Sequence, residues 1–257
     1  FTLAELGPGR GTLMADVLRA TARVPGFHAA LRLHLVELSP TLRARQRAAL
    51  PGHDVTWHES ADSLPEAPLF LIANEFFDAL PIRQFRRTGS GWQEVMVAAA
   101  GTRLAFALSP PAPLAALAHR LADTAEGDVV ELCPAALPVI DALAARIRAH
   151  GGAALIVDYG DWRLRGDTLQ ALRAHAFADP LADPGEADLT AHVEFGALAA
   201  RSGLSAGFAP QGAFLAALGL GPRTERLAQK LSGPALESHL QASRRLTDPA
   251  RMGSLFK

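Results

Sequence analysis

The sequence predicts an α/β fold built on a doubly wound, mostly parallel sheet, and three observations predict it. Short apolar runs of strand length recur, amphipathic stretches of helical period separate them, and a glycine-rich turn joins the first run to the first such stretch. The runs are Phe1 to Leu6, Leu31 to Leu38, Val55 to Trp57, Leu69 to Ala73 and Ala153 to Val157. Continuous apolarity suits strands covered on both faces, and parallel neighbours need crossovers, which are right-handed almost without exception.

In TLMADVLRATARV, between the first two runs, Leu13, Val17 and Leu18 repeat at helical spacing. In SPTLRARQRAAL, between the second and third, Ser39 can cap the helix, while Leu42, Gln46 and Ala49 share a face opposite the arginines. The rhythm changes from Ile82 to His150. IRQFRRTGSGWQEVMV and TRLAFAL read as strands meeting at turns around Thr88 to Gly91 and at Gly101. The proline-rich SPPAPLA, a helix, the short run DVVELCP and a helix from Ala135 to His150 follow. These residues, 82–150, read as a β-hairpin and helical segment inserted between the fourth and fifth parallel strands. The core is then residues 1–81 and 151–257, within one domain spanning 1–257. Arg165 to His192, poor in periodic apolar residues, reads as a long loop over one end of the sheet.

A chain of 257 residues with 49% hydrophobic positions can bury a full core. Its 25 basic and 26 acidic side chains leave a formal charge of -1, so general attraction to nucleic acid is not expected. Cys133 is the single cysteine, which excludes an internal disulfide and fits a reducing compartment. The sequence shows no metal-ligand cluster, so no metal site is expected, and no run approaches the roughly 18 to 20 apolar residues of a membrane span. An Ala- and Arg-rich composition without a visible presequence points to a bacterial, cytoplasmic setting. Oligomeric state is not legible.

The first turn carries the chemistry. Glycines at such a turn let the backbone approach a ligand closely, and the dinucleotide fingerprint spaces them G-x-G-x-x-G around a pyrophosphate. Here Gly7, Gly9 and Gly11 alternate with Pro8 and Arg10, and Glu5 stands two residues before the first of them. A carboxylate there repels phosphate and attracts an amino group. S-adenosylmethionine fits, with an ammonium at one end, a sulfonium in the middle and a ribose beyond. Glu37, at the end of the second run, can accept both ribose hydroxyls, and Leu38 beside it completes the expected cofactor wall. Glu59 to Asp62, after the third strand, falls where such folds line an adenine. An oxidoreductase binding NAD is the disfavoured alternative.

ELGPGRGTLMADVLR, LVELSPTLRARQ, ANEFFDALPIRQF, ALIVDYG, GDTLQALRAHAF, DPGEADLTAHVEF, QGAFL and RMGSLFK together resemble the MidA/NDUFAF7 family of class I methyltransferases, along nearly the whole chain. The resemblance implies a Rossmann-like methyltransferase fold and S-adenosylmethionine-dependent methylation of arginine in a partner protein. It implies symmetric dimethylation in the eukaryotic branch, whose members are mitochondrial and assist respiratory complex I assembly. A respiratory complex subunit is therefore a possible protein substrate. Family members carry a segment before the ELGPGRG strand and continue past FK, so this chain is expected to be truncated at both ends. Methylation of a small molecule, and a non-catalytic assembly factor that keeps the fold, are the alternatives.

A guanidinium is protonated near neutral pH and a poor nucleophile, so carboxylates should hold it and redistribute its charge. The fourth strand delivers Asn74, Glu75, Phe76, Phe77 and Asp78 to the carboxyl end of the sheet, where open α/β sheets bind ligands. Asn74 is assigned to the cofactor, Glu75 and Asp78 to guanidinium recognition, and the two phenylalanines mainly to the core. Asp158, after the fifth strand, either faces the acceptor or bonds loop amides. In DLTAHVEF, Asp188 or Thr190 can cap a following helix, and His192 can point into the cleft as a proton acceptor.

Overall fold

The computed structural model describes residues 1–89, 91–174 and 176–257. In chain order the first part comprises β1 (Thr2–Leu6), α1 (Thr12–Thr21), α2 (Phe27–Ala30), β2 (Arg32–Val36), α3 (Pro40–Ala49), β3 (Val55–His58) and β4 (Leu69–Asn74). Then come β5 (Arg83–Thr88), β6 (Gly91–Ala100), β7 (Arg103–Leu108), β8 (Val129–Leu132), α4 (Ala136–His150) and β9 (Gly152–Val157). The remainder holds β10 (Gly160–Asp161), β11 (Gln170–Arg173), β12 (Ala176–Ala178), β13 (Asp188–Thr190) and β14 (Val193–Glu194). It ends with α5 (Phe195–Ser202), α6 (Gln211–Ala217), α7 (Leu220–Ala228), α8 (Gly233–Thr247) and α9 (Met252–Leu255).

The five expected runs form one parallel sheet in the order β3-β2-β1-β4-β9. The chain starts at the centre, winds outward through β2 and β3, then returns to the other side of β1 with β4. That reversal opens a crevice at the carboxyl ends of β1 and β4, the place where such sheets accept ligands. Alternation along β1 sends its side chains to two different cores. Ala4 and Leu6 pack with Leu69, Leu71, Ala73 and the α4 residues Ile140 and Leu143. Leu3 packs on the opposite face with Leu33, Leu35 and the α1 residues Met14 and Leu18. Each fully buried leucine here contributes about 1.5–3 kcal/mol, which makes the floor beneath the crevice rigid. Glu5 follows the parity of Leu3, so it rises at the α1 side of β1.

In α3 the cap and the buried face are as expected, but Arg43 is not on the opposite face: it turns inward to the Glu37 and His58 carbonyls. The Ser39 hydroxyl accepts the Leu42 amide at 3.3 Å, Pro40 opens the helix, and Gln46 is its buried residue. Between β4 and β9 the chain forms a four-stranded antiparallel sheet, β7-β6-β5-β8, where a hairpin was expected, because β8 pairs with the free edge of β5. Gly101 lies in the β6–β7 turn as expected; the turn between β5 and β6 includes Ser90, outside the described residues. The helix expected after the prolines is only a 3-10 turn, Ala115–Arg120. It is tied down by the buried Arg120, whose guanidinium bonds Asp123, Glu194 and the Leu164 carbonyl.

A second correction concerns Arg165 to His192. Where a long loop was expected, it carries a three-stranded antiparallel sheet, β12-β11-β13. Its strands run three or four residues, too short to show an alternation in the sequence. Asp188 and Thr190 accordingly sit in β13 and cap nothing; α5 begins after Glu194 without a side-chain cap. Ala191 then donates to the Asp78 carbonyl at 3.0 Å, which fastens this sheet to the crevice.

Candidate active site

At the end of β1 the Gly7 amide donates to the Val36 carbonyl at 3.0 Å, and the chain bends away through Gly7, Gly9 and Gly11. All three have positive φ, at 58°, 53° and 80°, in the left-handed region that L side chains resist. Two of them differ in what surrounds them. A Cβ on Gly7 would stand 3.0 Å from the Phe76 ring, so that glycine lets the two turns pack. A Cβ on Gly9 would meet nothing within 4 Å, so the bend there faces open space.

Glu5 is 3% exposed, and its Oε2 is buried without a hydrogen-bond partner among the described residues. Burial pushes its pKa up to about 7. Leaving a carboxylate oxygen orphaned costs free energy, so the position asks for a cationic partner. Glu37 lies across the bend at the end of β2. Its Oε1 accepts the Ser39 amide at 2.9 Å and its Oε2 the Gln46 side-chain amide at 3.2 Å. Leu38 beside it is 73% exposed, an apolar side chain held out at the mouth.

On the other wall, β4 ends at the half-buried Asn74, and Glu75 turns the chain with φ 49°, one of two non-glycine residues with positive φ among those described. Such a conformation costs of order 1–2 kcal/mol and is tolerated where the surroundings over-determine it. The Glu75 side chain is exposed, and Phe77 and Asp78 are buried. Phe77 joins the core while Phe76 packs partly buried against it. Asp78 has its pKa raised to about 6, chiefly by burial and then by the Glu75 charge.

Asp158, directly after β9, has no exposed surface. Its Oδ2 accepts the Phe77 and Asp78 amides at 3.0 and 3.2 Å, and its Oδ1 the Tyr159 amide at 2.9 Å. Of the two options the sequence left for this residue, the bonds it makes are those to loop amides. Burial, then the Asp78 charge, pushes its pKa to about 7 against the opposing pull of those amides. Glu75, Asp78 and Asp158 are thus brought to one end of the sheet, where the two buried acids, Asp78 and Asp158, have raised proton affinities. His192 is half-buried; its amide donates to Thr168 Oγ1 at 2.8 Å, its ring lies 3.4 Å from the Gln170 side-chain nitrogen, and burial lowers its pKa. Its hydrogen bonds go to Thr168 and Gln170, and none joins it to the three acids.

Residues 1–214 match the model of a family described as "Putative S-adenosyl-L-methionine-dependent methyltransferase". The chain belongs to this family. Two relatives are named protein arginine methyltransferase NDUFAF7, mitochondrial. The Xenopus tropicalis protein is 36% identical over 99% of this chain and 66% of its own length; the Bos taurus protein is 36% identical over 100% and 65%. The chain therefore spans just under two thirds of those relatives. A Burkholderia thailandensis crystal structure with S-adenosyl-homocysteine bound superposes with TM-score 0.80 at 31% identity, covering 99% of this chain and 69% of the other.

The crevice fits the family's cofactor on its own terms. An orphaned buried carboxylate oxygen suits an ammonium, an open glycine bend suits close backbone approach, and the acid at the β2 end suits a ribose. Among the described residues no cluster of His, Cys, Asp or Glu could hold a metal ion. None of the described helices is long and apolar enough to cross a membrane.

Two residues beside the crevice were not singled out in the sequence. The Tyr159 ring packs at a tilt on Phe256, centroids 4.0 Å apart, and burial, then the charges of Glu75, Asp78 and Asp158, raises its pKa. Gln46 is fully buried between the glycine bend and Glu37. Its signal was present, as a polar residue on the helix face otherwise occupied by Leu42 and Ala49. Glu59 to Asp62 leads into a 3-10 turn, Ala61–Ser63, in which Ala61 is buried and Asp62 exposed.

Proposed function

We propose that this chain, as a single catalytic domain, transfers a methyl group from S-adenosylmethionine to an arginine of a partner protein. The single observation that carries the donor half is the buried, unpartnered Glu5 Oε2 beside the open bend at Gly9. Bound there, the donor supplies an electrophilic methyl on sulfur. Glu5 receives the ammonium, Glu37 the ribose hydroxyls, and Leu38 and Asn74 flank the ring and the reacting end.

The acceptor half rests on the acids across the crevice. Glu75, exposed and pinned by its strained backbone, can take one edge of a guanidinium. Asp78, with a proton affinity near neutrality, can accept the proton that must leave nitrogen as the new bond forms. Asp158 keeps both in place through the amides it holds, and His192 stands by as a second proton acceptor. Most of the acceleration in such an in-line displacement comes from alignment, which the rigid sheet end supplies.

Two relatives named as mitochondrial protein arginine methyltransferases support a protein acceptor. The resemblance read from the sequence supports a respiratory complex subunit as that acceptor, and the relatives' names support mitochondria as the setting of the eukaryotic branch; for this chain we favour bacterial cytoplasm. The test is transfer from methyl-labelled S-adenosylmethionine to protein, read by mass spectrometry as methylarginine. Dimethylarginine that disappears with Glu75→Ala supports the reading. Label found only on small molecules replaces it.

A further inference from the structure

We propose that Gln46 is a positioning residue for the donor, holding the glycine bend and the ribose-facing acid at a fixed separation with one immobile carboxamide. The inference rests on the donor site proposed above. Gln46 has no exposed surface. Its Nε2 donates to the Gly9 carbonyl at 2.8 Å and to Glu37 Oε2 at 3.2 Å, while its Oε1 accepts the Trp57 indole N–H at 2.8 Å.

These partners leave the amide one orientation. An indole N–H can only donate, so it must meet the carbonyl end, and a peptide carbonyl and a carboxylate can only accept, so they must meet the NH2 end. Both donors and one acceptor site of the side chain are used. The backbone is locked as well, because a Cβ on Gly11 would lie 3.3 Å from Gln46 Cα, so helix and bend are in direct contact. Arg43, one turn earlier on α3, donates to the Glu37 carbonyl at 2.7 Å and to the His58 carbonyl at 3.1 Å, holding the acid's backbone against the same helix. One helix therefore sets both the main chain and the carboxylate of Glu37, and Gln46 alone extends that control to Gly9. Glutamate at this position would set a second carboxylate against Glu37 and the Gly9 carbonyl. Methionine would keep the shape and release both.

The proposal predicts a ligand-specific signature that general destabilisation would not produce. Gln46 acts on the ribose side, so its loss should weaken every ligand that carries adenine and ribose, whether or not an amino-acid end is present. Calorimetric titration of the whole chain with S-adenosylhomocysteine and with 5′-methylthioadenosine, which lacks that end, reads it directly, with thermal melts alongside. Gln46→Met should weaken both ligands by about tenfold. Glu5→Gln should weaken the first ligand alone. Trp57→Phe, which leaves Gln46 in place and frees its amide to turn, should weaken both by about threefold. Gln46→Met binding both ligands within twofold of the parent overturns the proposal, whatever its melting temperature. Should that variant not fold, unchanged affinity of Trp57→Phe for both ligands overturns it equally. A parent chain that binds neither ligand refutes the donor site itself, which is a different result from a parent that binds and a Gln46 variant that does not care.

Discussion

The Asp158 carboxylate accepts the Phe77 backbone amide at 3.0 Å, joining the end of β9 to the turn that follows β4. The same group also holds the Asp78 and Tyr159 amides. One buried acid therefore organises two adjacent strand ends, and the exposed Glu75 is displayed by a turn it anchors. Removing the acceptor leaves three amides unpaired, each costing about 1–3 kcal/mol if it stays dry. Asp158→Ala should lose about 3 kcal/mol or more in urea denaturation, and Asp158→Asn, which keeps one acceptor oxygen, about half of that. An Asp158→Ala chain as stable as the parent would show that the turn is held by something else.

Glu5 links proton and ligand. Its proton affinity is raised in the folded chain from the ordinary 4.5 to about 7, so the folded state holds that proton more tightly than the unfolded one. Its contribution to stability is therefore fully present below about pH 4.5 and lost as pH rises through about 7. Glu5→Gln should melt above the parent at pH 8, with the gap closing toward pH 5. An ammonium-bearing ligand selects the ionised acid, so S-adenosylhomocysteine should bind more tightly as pH rises from 6 to 8, by up to about tenfold per unit below the pKa. The same titration with 5′-methylthioadenosine should lack that component.

The two glycines of the bend should separate stability from binding. Gly7→Ala places a Cβ 3.0 Å from the Phe76 ring at φ 58°, so it should destabilise the fold by displacing that ring. Gly9→Ala adds a Cβ in open space and pays only the left-handed backbone cost of about 1–2 kcal/mol. It should fold, yet lose affinity for S-adenosylhomocysteine by tenfold or more, because the methyl enters the space a ligand needs. Comparing melting temperatures with titrations checks both.

Glu75 carries strain that glycine would relieve. Glu75→Gly should be neutral to stabilising by about 1 kcal/mol, since φ 49° costs glycine little. It should leave S-adenosylhomocysteine binding within twofold while methyl transfer to protein falls by about a hundredfold or more. Loss of stability together with unchanged transfer would place Glu75 in the scaffold.

Much of this was legible in advance where side chains repeat with the period of their element. All five parallel strands and the Ser39-capped helix were read from apolar runs and a capping residue. That Glu5, the glycines and Glu37 gather at one end of the sheet was legible too, because they are close in sequence. What escaped depended on distant partners. The β8 strand is defined by pairing with β5, and the β11 to β13 sheet by strands too short for periodicity. Gln46 was read as one position on a helix face, since its importance comes from Gly9, Glu37 and Trp57 converging on it. Asp158 was left between two roles because the amides that satisfy it lie some eighty residues earlier in the chain.

A crystal structure of the chain with S-adenosylhomocysteine measures the central claim most directly. The ligand's ammonium should lie within about 3 Å of Glu5 Oε2 and its ribose hydroxyls on Glu37, with the sulfur facing Glu75 and Asp78. A ligand seated away from the Gly7 to Gly11 bend, with Glu5 Oε2 still unpartnered, would contradict it.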